Sequence, residues 1–196
     1  MPAPHTPAVG IDLGTTFSVV AYLDVTGRPC SIPNREGDLL TPSVVLFDGK
    51  TTVVGKEAVR AAPLEPDRVA EFSKRDMGNT HYSRPIGGER LPPEVIQALI
   101  LEKLKQDAEV KLGPFTKAVI TVPAFFNEPR RKATQDAGQL AGLDVIDIIN
   151  EPTAAAITFG YEAGFLNQRG EARQAERILV YDLGGGSTRA SFVTSR

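Results

Sequence analysis

One apolar run that stops at Asp-Leu-Gly occurs twice, near opposite ends of the chain, and it limits the possible folds more than any other feature. The first copy is Val9-Gly10-Ile11-Asp12-Leu13-Gly14-Thr15-Thr16, and the second is Leu179-Val180-Tyr181-Asp182-Leu183-Gly184-Gly185-Gly186-Ser187. In each, an apolar strand ends in Asp-Leu-Gly, a small hydroxyl-bearing turn comes next, and a second β-rich run begins. Solenoid units recur about every 20–50 residues, far closer than these copies, so the repeat points to two similar domains in tandem. Glycines let the backbone pass close to a ligand. Successive N–H groups in such a turn make a nest that binds anions, phosphate above all. Thr15, Thr16 and Ser187 add hydroxyls, and an aspartate at a strand end suits Mg²⁺, which keeps most of its waters. Two such loops facing one another would clamp a polyphosphate. One loop alone is equally an ordinary hairpin turn; two with Asp-Leu-Gly in the same place are harder to explain that way. Neither copy is a Walker A loop or a Rossmann fingerprint, since neither carries Gly-Lys-[Ser/Thr] and the glycines do not open a helix.

The segments between the copies alternate strand and helix. Residues 9–11 and 17–23 flank the first turn as a hairpin. Residues 30–32 form a third strand, and 43–47 with 51–54 flank Asp48-Gly49-Lys50, a strong hairpin signal. Pro92-Pro93 opens a helix with apolar residues at Ile96, Leu99, Ile100, Leu104, Ala108 and Leu112, a stripe read as core packing, which Gly113-Pro114 ends. Residues 118–122 make a buried strand. Asn127 caps a helix that ends near Gly142. Residues 145–149 make another buried strand, and Asn150-Glu151-Pro152 starts a helix of small residues over 153–161. Strands first, then strand–helix–strand–helix–strand, is an α/β order with a mixed sheet.

Composition excludes several functions. The net charge of −2 gives no electrostatic case for nucleic acid or an anionic membrane, and no apolar run reaches the roughly 18 residues of a membrane helix. A single cysteine, Cys30, read as a small core side chain, points to a reducing compartment. Cys30 with two distant histidines, His5 and His81, makes no zinc pattern.

Four motifs in order then carry a family resemblance: Gly10-Ile11-Asp12-Leu13-Gly14-Thr15-Thr16-Phe17-Ser18, Val119-Ile120-Thr121-Val122-Pro123-Ala124-Phe125-Phe126-Asn127, Ile149-Asn150-Glu151-Pro152-Thr153-Ala154-Ala155-Ala156, and Tyr181-Asp182-Leu183-Gly184-Gly185-Gly186-Ser187. Together the sequence resembles the DnaK-type, heat shock protein 70 chaperone family over nearly all of the chain past residue 8. The resemblance implies an actin-like, ribonuclease-H-like ATPase fold with its nucleotide between two lobes. It implies ATP or ADP and Mg²⁺ as ligands, with phosphates bound by Gly14, Thr15, Thr16 and Phe17 in one loop and Gly184, Gly185, Gly186 and Ser187 in the other. Asp12 and Asp182 would hold the metal through waters. Lys74, which unaided looks like a surface lysine, matches the family's catalytic lysine. Glu151, otherwise an acid in a helix's first turn, matches the catalytic glutamate that helps place water and metal. Pro123 and Arg131 match the elements that relay nucleotide state. Partners implied for a cytoplasmic parent are unfolded polypeptides, a J-domain co-chaperone and a nucleotide-exchange factor.

Three departures qualify the match. Arg189 stands where the family has an aspartate that helps bind K⁺, so the monovalent-cation site is in doubt. Ser187 replaces a loop threonine. The stretch from Lys74 to Pro123 is short, which implies a trimmed peripheral subdomain at about 36–114. The expected organisation is a disordered lead over 1–8, a first lobe over 9–164, a linker over 165–177, and over 178–196 the opening hairpin of a second lobe that the chain does not complete. That hairpin, apolar and rich in β-formers, is expected to pair with a second copy of the chain or to fray. A sugar- or acetate-kinase relative of the same superfold and a non-catalytic interaction lobe stay open as alternatives.

Overall fold

The computed structural model describes residues 8–167, 177–183 and 188–194. Most of the expected lead and most of the expected linker lie outside the described residues. The chain begins with β1 (Val9–Leu13), β2 (Phe17–Leu23) and β3 (Pro29–Ile32), then β4 (Thr41–Pro42), β5 (Val44–Asp48) and β6 (Thr51–Val54). A short helix α1 (Lys56–Ala61), strand β7 (Val69–Glu71) and a 3-10 turn (Ser73–Asp76) lead to the long helix α2 (Pro93–Leu112). Then come β8 (Lys117–Val122), α3 (Glu128–Leu140), β9 (Asp144–Asn150), α4 (Glu151–Glu162), β10 (Arg177–Leu183) and β11 (Thr188–Thr194).

The main sheet runs β3-β2-β1-β8-β9, with β4 on the start of β2. β1, β2 and β3 are antiparallel neighbours, whereas β8 is parallel to both β1 and β9. The sheet is therefore mixed, as the alternation of elements required. A small sheet, β6-β5-β7, stands beside it, and β10 and β11 pair with each other.

Strand periodicity places the core. Val9, Ile11 and Leu13 of β1 and Ala118, Ile120 and Val122 of β8 are buried in one cluster. Helix α2 contributes Ile96, Ile100, Leu101, Leu104 and Ala108 to the same cluster, and α3 contributes Ala133 and Ala137. Pro93 in the first turn of α2 loses no helical hydrogen bond, and Gly113, at φ 73°, stops the helix. The apolar stripe of α2 is core packing, as its spacing indicated.

Two burial expectations are corrected. Residues 145–149 are not a buried strand: β9 has β8 as its sole strand neighbour among the described residues, and Ile146 is 51% exposed. Cys30 is not a core side chain. It lies on β3, the opposite outer strand, is half-buried, and its Sγ is 3.9 Å from Asp24 Oδ2.

α3 sits close against the sheet because Gly138 has no side chain. A Cβ there would lie 2.3 Å from Val145 Cγ2 and 3.4 Å from Ile120 Cδ1. Gly138→Ala is therefore expected to lower stability by about 1–3 kcal/mol through overpacking. Adding Val145→Ala should recover part of that loss, since it removes the Cγ2 methyl that the new Cβ would meet. Urea midpoints of the two variants check this; a single variant as stable as the unmodified chain would contradict it.

Candidate functional site

The parallel strands β1, β8 and β9 end side by side, and the residues just past those three ends make up the site. Gly14 to Thr16 come after β1, Pro123 comes after β8, and Asn150 and Glu151 close β9 and open α4. In open α/β sheets, ligands favour such strand ends.

Asp12 points away from the core because its neighbours Ile11 and Leu13 point into it. β1 pairs with β8 at Ile11↔Ile120, so the next residue of β8 stands beside Asp12. Thr121 Oγ1 donates to Asp12 Oδ1 at 2.7 Å. Thr121 belongs to one of the four motifs, but its contact with Asp12 depends on strand register and cannot be read from spacing.

A closed ring of hydrogen bonds holds the first loop. Gly14 N donates to Ser18 Oγ at 3.1 Å, Ser18 Oγ and Ser43 Oγ lie 2.9 Å apart, and Ser43 Oγ donates to the Gly14 carbonyl at 2.9 Å. With the Ser43 proton committed to Gly14, Ser18 is the donor to Ser43. Ser43 N also donates to the Thr16 carbonyl. Both serines are buried. The turn accepts only glycine at its start, since a Cβ on Gly14 would lie 2.0 Å from the Phe17 carbonyl oxygen. Thr15 and Thr16 are half-exposed above this ring, and Phe17 is exposed. Neither serine role is visible in the sequence, because Ser43 arrives from the approach to a different hairpin.

Lys74 comes from the 3-10 turn after β7. It is not the surface lysine that an isolated reading gives: it is 4% exposed, and its Nζ donates to Glu151 Oε1 at 2.6 Å. Phe72, two residues earlier, has φ 57°, the one left-handed non-glycine among the described residues. The segment is held from both sides. The Tyr82 hydroxyl accepts from Glu71 N at 3.1 Å and donates to the Glu71 carbonyl at 2.8 Å, and burial pushes this phenol above the ordinary tyrosine range. Gln97 Nε2, from α2, donates to Ser73 Oγ at 2.7 Å. Gln97 Oε1 is buried with no partner among the described residues, a penalty of about 1–3 kcal/mol.

Arg131 on α3 grips the end of β9. Its Nη1 donates to Asn150 Oδ1 at 2.9 Å and its Nη2 to the Ile148 carbonyl at 2.6 Å, immediately beside Glu151. Pro123 contributes its carbonyl, which accepts from Phe126 N. Asp182 stands apart: it is exposed on β10, and no hydrogen bond or ion pair among the described residues ties it to Asp12, Lys74 or Glu151. Arg189 faces it in the strand register. Gly184, Gly185, Gly186 and Ser187 lie outside the described residues. Among the described residues no three acids, histidines or cysteines converge as a metal cage, and no helix is long and apolar enough to cross a membrane.

The Lys74–Glu151 pair is asymmetric, and a pair of variants reads that asymmetry. Glu151→Gln leaves a buried ammonium without its counter-charge and is expected to cost about 2 kcal/mol, less than for a fully buried pair because Glu151 is partly exposed. Lys74→Met removes the buried charge itself and is expected to be close to neutral. Chemical denaturation of the two variants at neutral pH checks the order; equal losses would contradict it.

A family model described as Hsp70 protein matches residues 8–87 and 72–195. A chaperone protein DnaK of Thermotoga petrophila is 49% identical over 181 residues, which cover 91% of this chain and 29% of that relative. The chain thus spans under a third of the length of the relative it matches, and on both findings it belongs to the Hsp70 family.

Proposed function

We propose that this chain is the opening part of the ATPase domain of a chaperone and supplies one side of a clamp for a Mg²⁺-bound nucleotide phosphate chain. In that reading residues 9–164 are the first lobe of an actin-like fold, with a small peripheral subdomain at about 36–114, and 178–196 start the second lobe. The observation that carries it is the ion pair of buried Lys74 with half-buried Glu151, drawn from distant parts of the sequence to the end of the sheet that also carries Asp12 and Gly14.

The residues fit the ligand. The Gly14 turn is too tight for a side chain, and the hydroxyls of Thr15 and Thr16 stand at its rim. Asp12 offers a carboxylate held in place by Thr121. A single fixed carboxylate is a donor that Mg²⁺ can use, since it binds through one or two carboxylates, waters and phosphate oxygens. When bound, the metal neutralises phosphate charge. Phosphoryl transfer asks chiefly for positioning and charge stabilisation. Lys74 supplies a fixed positive charge for the transferring phosphate. Glu151 orients that ammonium and accepts a hydrogen bond from the attacking water. Asp12, with Asp182 from the second loop, would hold the metal through waters.

Arg131 bonds the strand end next to Glu151 while Pro123 ends the neighbouring strand, which supports their assignment to the relay of nucleotide state. Cycles of unfolded-polypeptide binding, aided by a J-domain co-chaperone and a nucleotide-exchange factor, belong to the longer parent. The exposed Leu179, Tyr181 and Phe192 of the β10–β11 hairpin are the surface on which that parent's second lobe packs.

In the full-length parent, Lys74→Ala and Glu151→Ala are each expected to slow single-turnover ATP hydrolysis by roughly 100-fold or more with little change in nucleotide affinity. Unchanged single-turnover rates would remove both from the mechanism. Arg189 brings a second expectation. A guanidinium cannot ligate K⁺ but can supply its charge, so turnover should be alike in K⁺ and Na⁺, and Arg189→Asp should introduce a K⁺ preference. A strong K⁺ requirement in the unmodified parent would refute this.

A further inference from the structure

The segment that delivers Lys74 is fastened residue by residue. Glu71 has both backbone groups on the Tyr82 hydroxyl, Phe72 is held left-handed, Ser73 Oγ takes a hydrogen bond from Gln97, and Lys74 reaches Glu151. Gln97 is the member that packing does not explain. It is 1% exposed, on a helix whose other buried positions include Ile96, Ile100, Leu101 and Leu104. An amide there gives up its water, and its Oε1 finds no partner among the described residues. An apolar side chain of the same size would avoid that penalty. What the amide does accomplish is to hold Ser73, which joins the left-handed Phe72 to Lys74.

We propose that Gln97 and Ser73 form a positioning pair that fixes the Lys74 ammonium for phosphoryl transfer, an assignment that rests on the catalytic role of Lys74 given above. The physical reason is the backbone at Phe72. A left-handed aromatic residue persists only where its surroundings over-determine it. Tyr82 fixes the chain before Phe72, and the Gln97–Ser73 bond fixes it after. Without the second hold, Phe72 relaxes towards an ordinary φ, and the start of the Lys74 side chain moves with it.

The test separates positioning from packing. The double variant Ser73→Ala/Gln97→Met removes both polar groups together, so no buried donor or acceptor is stranded and stability is kept. In the full-length parent we expect it to match the unmodified protein in thermal stability and nucleotide affinity. Its single-turnover hydrolysis should be about 10- to 100-fold slower, the scale of a small misplacement. Without nucleotide, acetic anhydride should acylate Lys74 faster in the variant than in the unmodified protein, as read by peptide mass spectrometry. Ser73→Ala, which deletes one oxygen, is read in the same two assays and covers failure of the double variant to fold. Unmodified turnover, or an unmodified acylation rate, overturns the proposal. Lys74→Ala in parallel tells the two readings apart. If it turns over normally, the catalytic assignment falls and the proposal with it. If it is slow while the pair variants turn over normally, the positioning proposal alone falls.

Discussion

The site depends on the two-residue alternation of β1. Val9, Ile11 and Leu13 go into the core under α2 and α3, so Gly10 and Asp12 must face the other way. Parallel pairing with β8 then sets the neighbour, because Ile11 opposite Ile120 brings Thr121 beside Asp12. A slip of one residue would drive Asp12 into an apolar core and withdraw an isoleucine from it, and that cost is what pins the register. The placement of the carboxylate is thus a by-product of core packing, and it needs no stabilisation of its own beyond the threonine.

The second half of the site has the opposite character. Lys74 and Glu151 sit on a turn and at a helix start, and each is brought to the other by contacts that core packing does not require. Glu151 is placed by the end of β9 and by Arg131, whose guanidinium spans the Asn150 side chain and the Ile148 carbonyl. Lys74 is placed by a left-handed Phe72 and a buried amide. Strain and buried polar groups are tolerable where burial elsewhere offsets them, and here the large apolar cluster beneath β1 and β8 supplies that margin.

This division explains how much of the molecule is legible in the sequence. β1, β2, the hairpin about Gly49, α2, β8 and α3 carry strong local signals: alternation, Asp-Gly, Pro at a helix start and Gly after its end. α1 and β7 carry none, being six and three residues long, too short for a period to show. The run over 145–149 suggests more burial than β9 has, because an apolar run does not tell whether a strand has one neighbour or two. Asp12 and the Gly14 turn stand out through repetition. Lys74 and Glu151 are identified through family resemblance, since a lone lysine has no local signal of burial. The roles of Ser18, Ser43, Thr121 and Gln97 are hidden for a common reason. Each acts through a hydrogen bond to a distant stretch, or, for Ser18, through one that only the folded turn closes.

The short linkage between core and chemistry has a consequence for movement. Asn150 receives the Arg131 guanidinium and immediately precedes Glu151 at the start of α4, so a shift of α3 along the sheet acts on the carboxylate through a rigid, charge-assisted contact. The core interface of α3 is close-fitting at Gly138, where the helix meets Val145 of β9 with no intervening side chain. α3 and β9 are thereby held at two points, one apolar near the helix C-terminus and one polar near its N-terminus. A body held in this way responds to force as a unit rather than by local bending, because packed interiors do not deform continuously. A displacement of Glu151 would therefore carry α3 and β9 together, and the Lys74 turn, anchored to α2 instead, is the element against which that displacement would be felt.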